Sequence, residues 1–277
     1  MTTFESTMVT RTNSLGCHER SFPRRQPETL ARRRDEVRRL ERAIVPDTGV
    51  HGTVTLGIAE IDQHLPWGGL PRGALHEVII EDPGAGVGFA AVLAGRLAAW
   101  KMKNGTDGMV LWCEGARPLD AGTLYAPGLK RFGLAPEHVI CVRARTDRDA
   151  LWALEEGLGG GLAAVVGEVG AVTLTEGRRL QLTAEMAGVT ALLLRPPAAA
   201  AVPAAALTRW RLSTLPAATI PGIPGVGWAR WRASLFRCRG GTIQEWEMEW
   251  RDETGALTLA APLCDRPDRT QPTWLAG

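Results

Sequence analysis

The first sustained apolar period lies between residues 28 and 46, where Leu30, Val37, Leu40 and Ile44 recur at spacings of seven, three and four. That spacing lays one narrow apolar stripe along an amphipathic helix. Residues 1–27 before it are polar, proline-punctuated and without a period, and they read as a disordered tail. After Pro46, in "TLGIAEIDQHLPWGGLPRGALHEVII", Ile58, Ile61 and Leu65 mark a short amphipathic helix, followed by a Gly/Pro turn and an apolar strand over 75–80. A glycine-rich turn, "EDPGAGVG", then feeds a helix expected from about Phe89 to Lys101. Continuous apolar runs at 108–115, 138–144, 162–169 and 189–196 predict strands buried on both faces. Helical stretches separate them, as in "TDRDALWALEEGLG", where Thr146 or Asp147 can cap and Ala150, Leu151 and Leu154 face inward. Strands alternating with helices predict an α/β fold with a mainly parallel sheet covered by helices.

The last quarter has a different rhythm. "WARWRASLFRCRGGTIQEWEMEW" predicts an antiparallel hairpin whose two-residue loop is Gly240-Gly241. Pairing Arg239 with Thr242 sets Trp231 opposite Trp250, Ala233 opposite Met248 and Leu235 opposite Trp246 on one face. On the other face Arg232 meets Glu249 and Ser234 meets Glu247. The Ala- and Pro-rich run 195–207 reads as a loop. The resulting division is a tail over 1–27, an Arg-rich helix over 28–46, a core over 51–263 that includes the hairpin, and a flexible tail over 264–277.

A chain of 277 residues with 45% hydrophobic content can bury a sizeable core. Its formal net charge of +2 provides no global attraction to nucleic acid or to an anionic membrane. Basic character is local: eight arginines lie between Arg24 and Arg42, interleaved with Glu28, Asp35, Glu36 and Glu41. That patch reads either as a solvated helix face that packs on a core or as a phosphate-contacting surface, the interleaved acids weakening the second reading. The five cysteines are scattered, with no C-x-x-C pair and no His at ligand spacing, so neither a disulfide framework nor a metal site is expected. No signal-peptide layout and no long apolar run occurs, and the expected location is the cytoplasm.

The glycine-rich turn occupies the place of a phosphate-binding loop. A loop of the form G-x-x-x-x-G-K-[S/T] needs backbone N–H groups to cradle phosphate, a lysine to neutralise it and a hydroxyl to hold Mg²⁺. Laid on that template, the stretch offers Pro83, Gly88, Phe89 and Ala90, with Gly84 and Gly86 between. The sequence therefore predicts the shape of such a loop without its chemistry: no nucleotide cofactor, no metal and no ATP hydrolysis.

The series "TLGIAEIDQHLPWGGLPRGALHEV", a glycine loop and "VLWCEG" resembles the T-G-x-x-x-L-D-x-x-L-x-G-G-L-P-x-G-x-x-x-E opening of RecA-type recombinase cores. Within that superfamily the chain is identified as a member of the ImuA family of damage-inducible mutagenesis proteins. The resemblance rests on the lost lysine and the tryptophan-rich "TRW…RGG…W-x-x-E-W" ending. It implies a RecA-like fold in which residues 207–212 and the hairpin supply antiparallel strands that complete the sheet. It places Glu114 where RecA-like ATPases keep a water-activating Glu, and Gly167 or Glu168 where an Mg²⁺-associated Asp would stand. Both acids are vestigial if no γ-phosphate binds.

The resemblance further implies an accessory role in SOS-induced translesion synthesis. The partners would be a Y-family-like polymerase homologue, an error-prone replicative-type polymerase and RecA, at the nucleoid after damage. DNA contact is expected to be indirect, because the two segments that grip single strands in recombinases correspond here to "GAVTLTEGRR" and "PPAAAAVP". Trp228 and Trp274, without obvious core partners, and Arg33, Arg38 and Leu40 of the N-terminal helix are the expected partner-binding residues, the helix also offering a route to a homo-oligomer. Two other readings compete. One is an active ATPase or recombination mediator using Lys101 or Lys103 as an unconventional phosphate lysine, and the other is a cell-division inhibitor of the SulA type.

Overall fold

The computed structural model describes residues 51–115, 122–217 and 227–260. The expected N-terminal tail and Arg-rich helix, the C-terminal tail, and with them Arg33, Arg38, Leu40 and Trp274, lie outside the described residues. The first described elements are β1 (Thr53–Val54), α1 (Ala59–His64) and β2 (Leu70–Pro71), the two strands pairing antiparallel. Ile58, Ile61 and Leu65 are buried, as their spacing predicts. Asp62 closes the turn before α1 by accepting the backbone N–H of Leu56 at 2.7 Å and of Gly57 at 3.0 Å.

The main sheet has nine strands among the described residues: β3 (Leu75–Ile80), β4 (Val110–Glu114), β5 (Val139–Arg143), β6 (Ala164–Glu168), β7 (Thr190–Arg195), β8 (Thr208–Leu215), β9 (Ala229–Cys238), β10 (Gln244–Arg251) and β11 (Ala256–Leu259). Their spatial order is β11-β10-β9-β8-β3-β7-β6-β4-β5. Pairs from β8 through β3, β7, β6 and β4 to β5 are parallel, and the β8–β9, β9–β10 and β10–β11 pairs are antiparallel. The expected α/β architecture is present, with one correction: β8 runs parallel to β3, so the antiparallel extension begins one strand later.

Side-chain alternation divides the sheet between two cores. Val78, Ile80, Trp112, Val166, Leu192, Leu194 and Trp210 face α2 (Pro83–Lys103), joined by the hairpin residues Trp231, Ala233, Leu235, Met248 and Trp250. Leu75, Leu111, Cys113, Val165, Ala191 and Leu193 face α4 (Asp147–Gly159) and α5 (Leu174–Ala187); α3 (Ala126–Leu129) is a single turn before β5. Thr146 caps α4 by accepting from Asp149 N, and Ala150, Leu151 and Leu154 are buried as expected. Thr173 and Glu176 form a capping box on α5, so much of the expected 170–179 loop is helix.

Three further expectations are corrected. The segment over 139–143, read as buried on both faces, is the sheet edge, and Ile140 is 40% exposed. The run 195–207 contains a 3₁₀ turn, Pro197–Ala201. The hairpin register differs by two residues: Leu235 opposes Gln244, Ala233 opposes Trp246, Trp231 opposes Met248, and Arg232 opposes Glu247. The loop is longer because both flanks are held elsewhere. Arg239 N donates to Leu207 O at 2.9 Å, and His64 Nε2 lies 3.2 Å from the Thr242 carbonyl oxygen and 3.0 Å from its hydroxyl. A slip of two preserves the face of every side chain, which is why the apolar and charged faces stand as expected.

Candidate functional site

In open α/β sheets ligands bind outside the carboxyl ends of the parallel strands, so the end of β3 is where the expected phosphate loop must be judged. Only Glu81 and Asp82 separate β3 from α2, and the helix starts at Pro83, six residues before Phe89. The expected glycine-rich turn is therefore helical. Pro83 suits a first helical position, having the right φ and no N–H to satisfy. Asp82 precedes it in extended conformation, its Oδ2 accepting from Thr214 N at 2.8 Å, while Glu81 N donates to Leu212 O at 3.0 Å and the Glu81 carboxylate pairs with Arg211 at 3.2 Å.

The glycines of this stretch serve side-chain packing. A Cβ on Gly86 would stand 2.4 Å from Ile80 Cγ1, and one on Gly88 would stand 2.7 Å from Trp231 Cζ2. Phe89 and Ala90 are fully buried, and the Phe89 ring tilts against Trp210 with centroids 5.6 Å apart. Gly84 alone faces open space. Where a phosphate loop would offer a lysine and a hydroxyl, this helix offers an aromatic contact in the main core, and two carboxylates precede its first turn. Lys101 and Lys103 sit in the last turn of α2, roughly 27 Å from Pro83 at about 1.5 Å per residue. Lys101 Nζ donates there to Leu162 O at 3.2 Å.

The structure brings the two expected acids together at the ends of neighbouring strands. Cys113 pairs with Gly167, so Glu114 and Glu168 follow side by side. Glu114 is buried and fully engaged: Oε1 accepts from Leu124 N at 2.5 Å and Oε2 from Arg143 Nε at 2.7 Å. Glu168 accepts from Trp112 Nε1 at 3.4 Å. Burial pushes its pKa above the usual carboxylate range, and the nearby Glu114 charge adds to the shift. The Cys113 thiol beneath them is pushed up to about 11, by burial first and then by both acids. This arrangement ties the β4–β5 edge and the segment at Leu124 to the sheet.

Sequence reasoning missed a buried charge cluster on the opposite face. Glu77 Oε1 pairs with Arg195 Nη1 at 3.2 Å and Oε2 with Arg209 Nε at 2.7 Å, and all three side chains are almost inaccessible. Arg195 also donates to Gly170 O and Arg209 to Ala199 O, so the cluster fastens the segments after β6 and β7 to the sheet. Across the sheet from it, His76 Nε2–H donates to Pro71 O at 2.9 Å, and the Thr208 hydroxyl donates to His76 Nδ1 at 2.7 Å while accepting from Trp210 Nε1 at 3.0 Å. Burial pushes the His76 pKa down to about 4. The available signal was charged and polar letters inside otherwise apolar strands, as in "LHEVII" and "LLLR".

Trp228, expected to lack a partner, is half-buried: its Nε1 donates to both Glu253 oxygens at 3.2 and 3.0 Å, and the Arg251 guanidinium lies 4.7 Å over its ring. Among the described residues the exposed aromatics include Tyr125, 73% accessible, and Trp152 on α4, 64% accessible, neither of which sequence reasoning singled out. Among the described residues no group of His, Cys, Asp and Glu is arranged to hold a metal ion, and no helix is long and apolar enough to cross a membrane.

Fold and site together define an α/β protein whose central strand passes directly into a core helix instead of an open phosphate loop. No family model matches the chain. Protein ImuA of Caulobacter vibrioides, from two strains, is 37% identical over 209 residues, covering 71% of this chain and 82% of the relative. The chain belongs to the ImuA family.

Proposed function

We propose that this chain is a non-catalytic, RecA-like accessory protein of damage-inducible mutagenesis, acting by contact with polymerase components rather than by turning over a nucleotide. The observation that carries this reading is the fate of the phosphate-loop position: Phe89 and Ala90 are built into the core, and Pro83 to Gly88 into helix. Restoring a phosphate site there would require unpacking Trp210 and Trp231, the aromatic centre of the molecule. The RecA-like reading is supported by a central parallel strand leading into the glycine-rich helix, acids ending the mutually adjacent strands β4 and β6, and an antiparallel extension of the same sheet. Glu114 and Glu168 act in this reading as structural residues.

DNA is reached through the partner. The segments following β6 and β7 carry no lysine, amide or aromatic over 169–173 and 196–206, where single-strand binding needs cations and stacking platforms. The Y-family-like polymerase homologue of the same cell is the expected direct partner, with the error-prone replicative-type polymerase and RecA in the same assembly, in the cytoplasm at damaged DNA. Co-elution tests this: the full chain and the purified homologue, mixed at micromolar concentration and sized by light scattering, form a stoichiometric complex. Separate elution at all ratios contradicts the proposal.

A further inference from the structure

Between the N-terminal ends of α4 and α5 and the 3₁₀ turn Pro197–Ala201 lies a cavity of about 780 Å³. That volume falls within the range of sites that take a ligand group. Leu151, Trp152, Val172, Pro196, Ala199 and Val202 supply its apolar lining. The apolar character continues onto the surface, where Trp152, Leu174 and Val202 are 64%, 54% and 41% exposed. Further along α5, beyond the exposed Arg178, Leu182 and Met186 are 52% and 88% exposed. An apolar surface of this kind running out of a cavity exceeds what a small ligand covers and marks a protein-contact surface.

The charges around the cavity specify what the contact must carry. Both carboxylates in the lining are already committed: Asp147 accepts from Gly170 N at 2.9 Å and Ala171 N at 2.8 Å, and Glu176 accepts from Thr173 N at 2.8 Å. Arg179 is paired with Glu155 and Arg195 with Glu77. Arg148, exposed at the rim, has no ion pair among the described residues. The N-terminal ends of two helices meet at the same place, their potential offset by Asp147 and Asp149 on α4 and by Glu176 on α5. An incoming carboxylate thus meets an uncommitted lining guanidinium, Arg148, whereas both lining carboxylates already hold backbone N–H donors.

We propose that this groove docks a short acidic peptide segment of a partner protein, inserting a large apolar side chain beside Trp152 and placing a flanking carboxylate on Arg148. A nucleic-acid strand fits less well, because one free guanidinium beside two carboxylates provides no phosphate track, and the single Trp152 ring provides no row of stacking platforms. The inference deepens the reading of the chain as a protein that acts by contact. It is separable from it, since co-elution with the polymerase homologue can succeed through another surface while this groove stays empty.

The test uses the full chain and fluorescence anisotropy with a labelled hexapeptide of Leu-Phe-Leu centre and acidic flanks. Its counterpart with lysine flanks and a labelled oligothymidine of equal length serve as comparators. The acidic peptide binds saturably, and the lysine peptide and the oligonucleotide bind at least about thirtyfold more weakly. Trp152→Ala weakens the acidic peptide by about thirtyfold, the loss typical of a buried aromatic anchor. Arg148→Glu reverses the preference between the two peptides, a readout that mere loss of structure cannot produce. Val202→Trp, which fills the mouth from the opposite wall, blocks both peptides while leaving the circular dichroism spectrum unchanged. Absence of saturation by the acidic peptide, equal binding of the two peptides, a preference for the oligonucleotide, or indifference to Arg148→Glu overturns the proposal.

Discussion

Phe89 stands at the point where a phosphate site would carry its cation, and its ring is fully buried against Trp210. Truncating it leaves a cavity in the main core, and Phe89→Ala is expected to lower the unfolding free energy by about 3–5 kcal/mol in urea titrations. Phe89→Lys is expected to destabilise more, because an ammonium among aromatic and aliphatic groups has no partner. His76 gives the residue scale its pH dependence. Its folded pKa of about 4 lies below the unfolded value of 6.5, so the unfolded chain binds the extra proton between these values. Stability contributed by neutral His76 is present above pH 6.5 and lost as pH falls, by about 3 kcal/mol near pH 4 at about 1.4 kcal/mol per pH unit. Asp62 and Glu168, whose pKa values are raised chiefly by burial, work in the opposite sense and gain as pH falls. Comparing urea midpoints at pH 7.5 and 5 for the native chain and His76→Gln isolates the histidine. The variant is expected to lose much of the acid sensitivity.

At the scale of elements, the hairpin register is the most exposed claim. Arg232 opposes Glu247, so Arg232→Cys with Glu247→Cys is expected to form an intramolecular disulfide on mild oxidation. Arg232→Cys with Glu249→Cys, the pairing read from a two-residue loop, sits on the diagonal, where residues lie about 7–8 Å apart, too far for a bridge without backbone movement. Non-reducing mass spectrometry of the two variants distinguishes the registers. The alternation of "ARWRASLF" and "EWEMEW" was enough to assign faces, because faces depend only on parity. It was not enough to assign partners, since a slip of two keeps parity and the deciding contacts come from Leu207 and His64, far away in sequence. The edge position of β5 was hidden for a similar reason: an apolar run reports hydrophobicity and does not count neighbouring strands. The α2 start was misplaced because glycine marks a close approach without saying of what. Phosphate and the Ile80 and Trp231 side chains demand the same small residue.

Taken whole, the molecule joins a helix-covered parallel sheet to an antiparallel extension through one continuous ladder, with the aromatic residues of both halves sharing the core that contains α2. The order of strands and helices was largely legible in the sequence, as was the absence of a lysine and a hydroxyl at positions 89 and 90. The buried Glu77–Arg195–Arg209 cluster and the groove at Trp152 were not, because both are assembled from segments that only the topology brings together. At this scale the start of α2, Phe89 and Ala90 included, is part of the core, and the proposed activity by contact with partners requires that no nucleotide bind there. The most direct measurement is isothermal titration of the full chain with ATP and Mg²⁺. The prediction is no saturable heat up to millimolar nucleotide. Saturable binding at micromolar concentration, abolished by a substitution at the start of α2 such as Gly84→Asp, would contradict it.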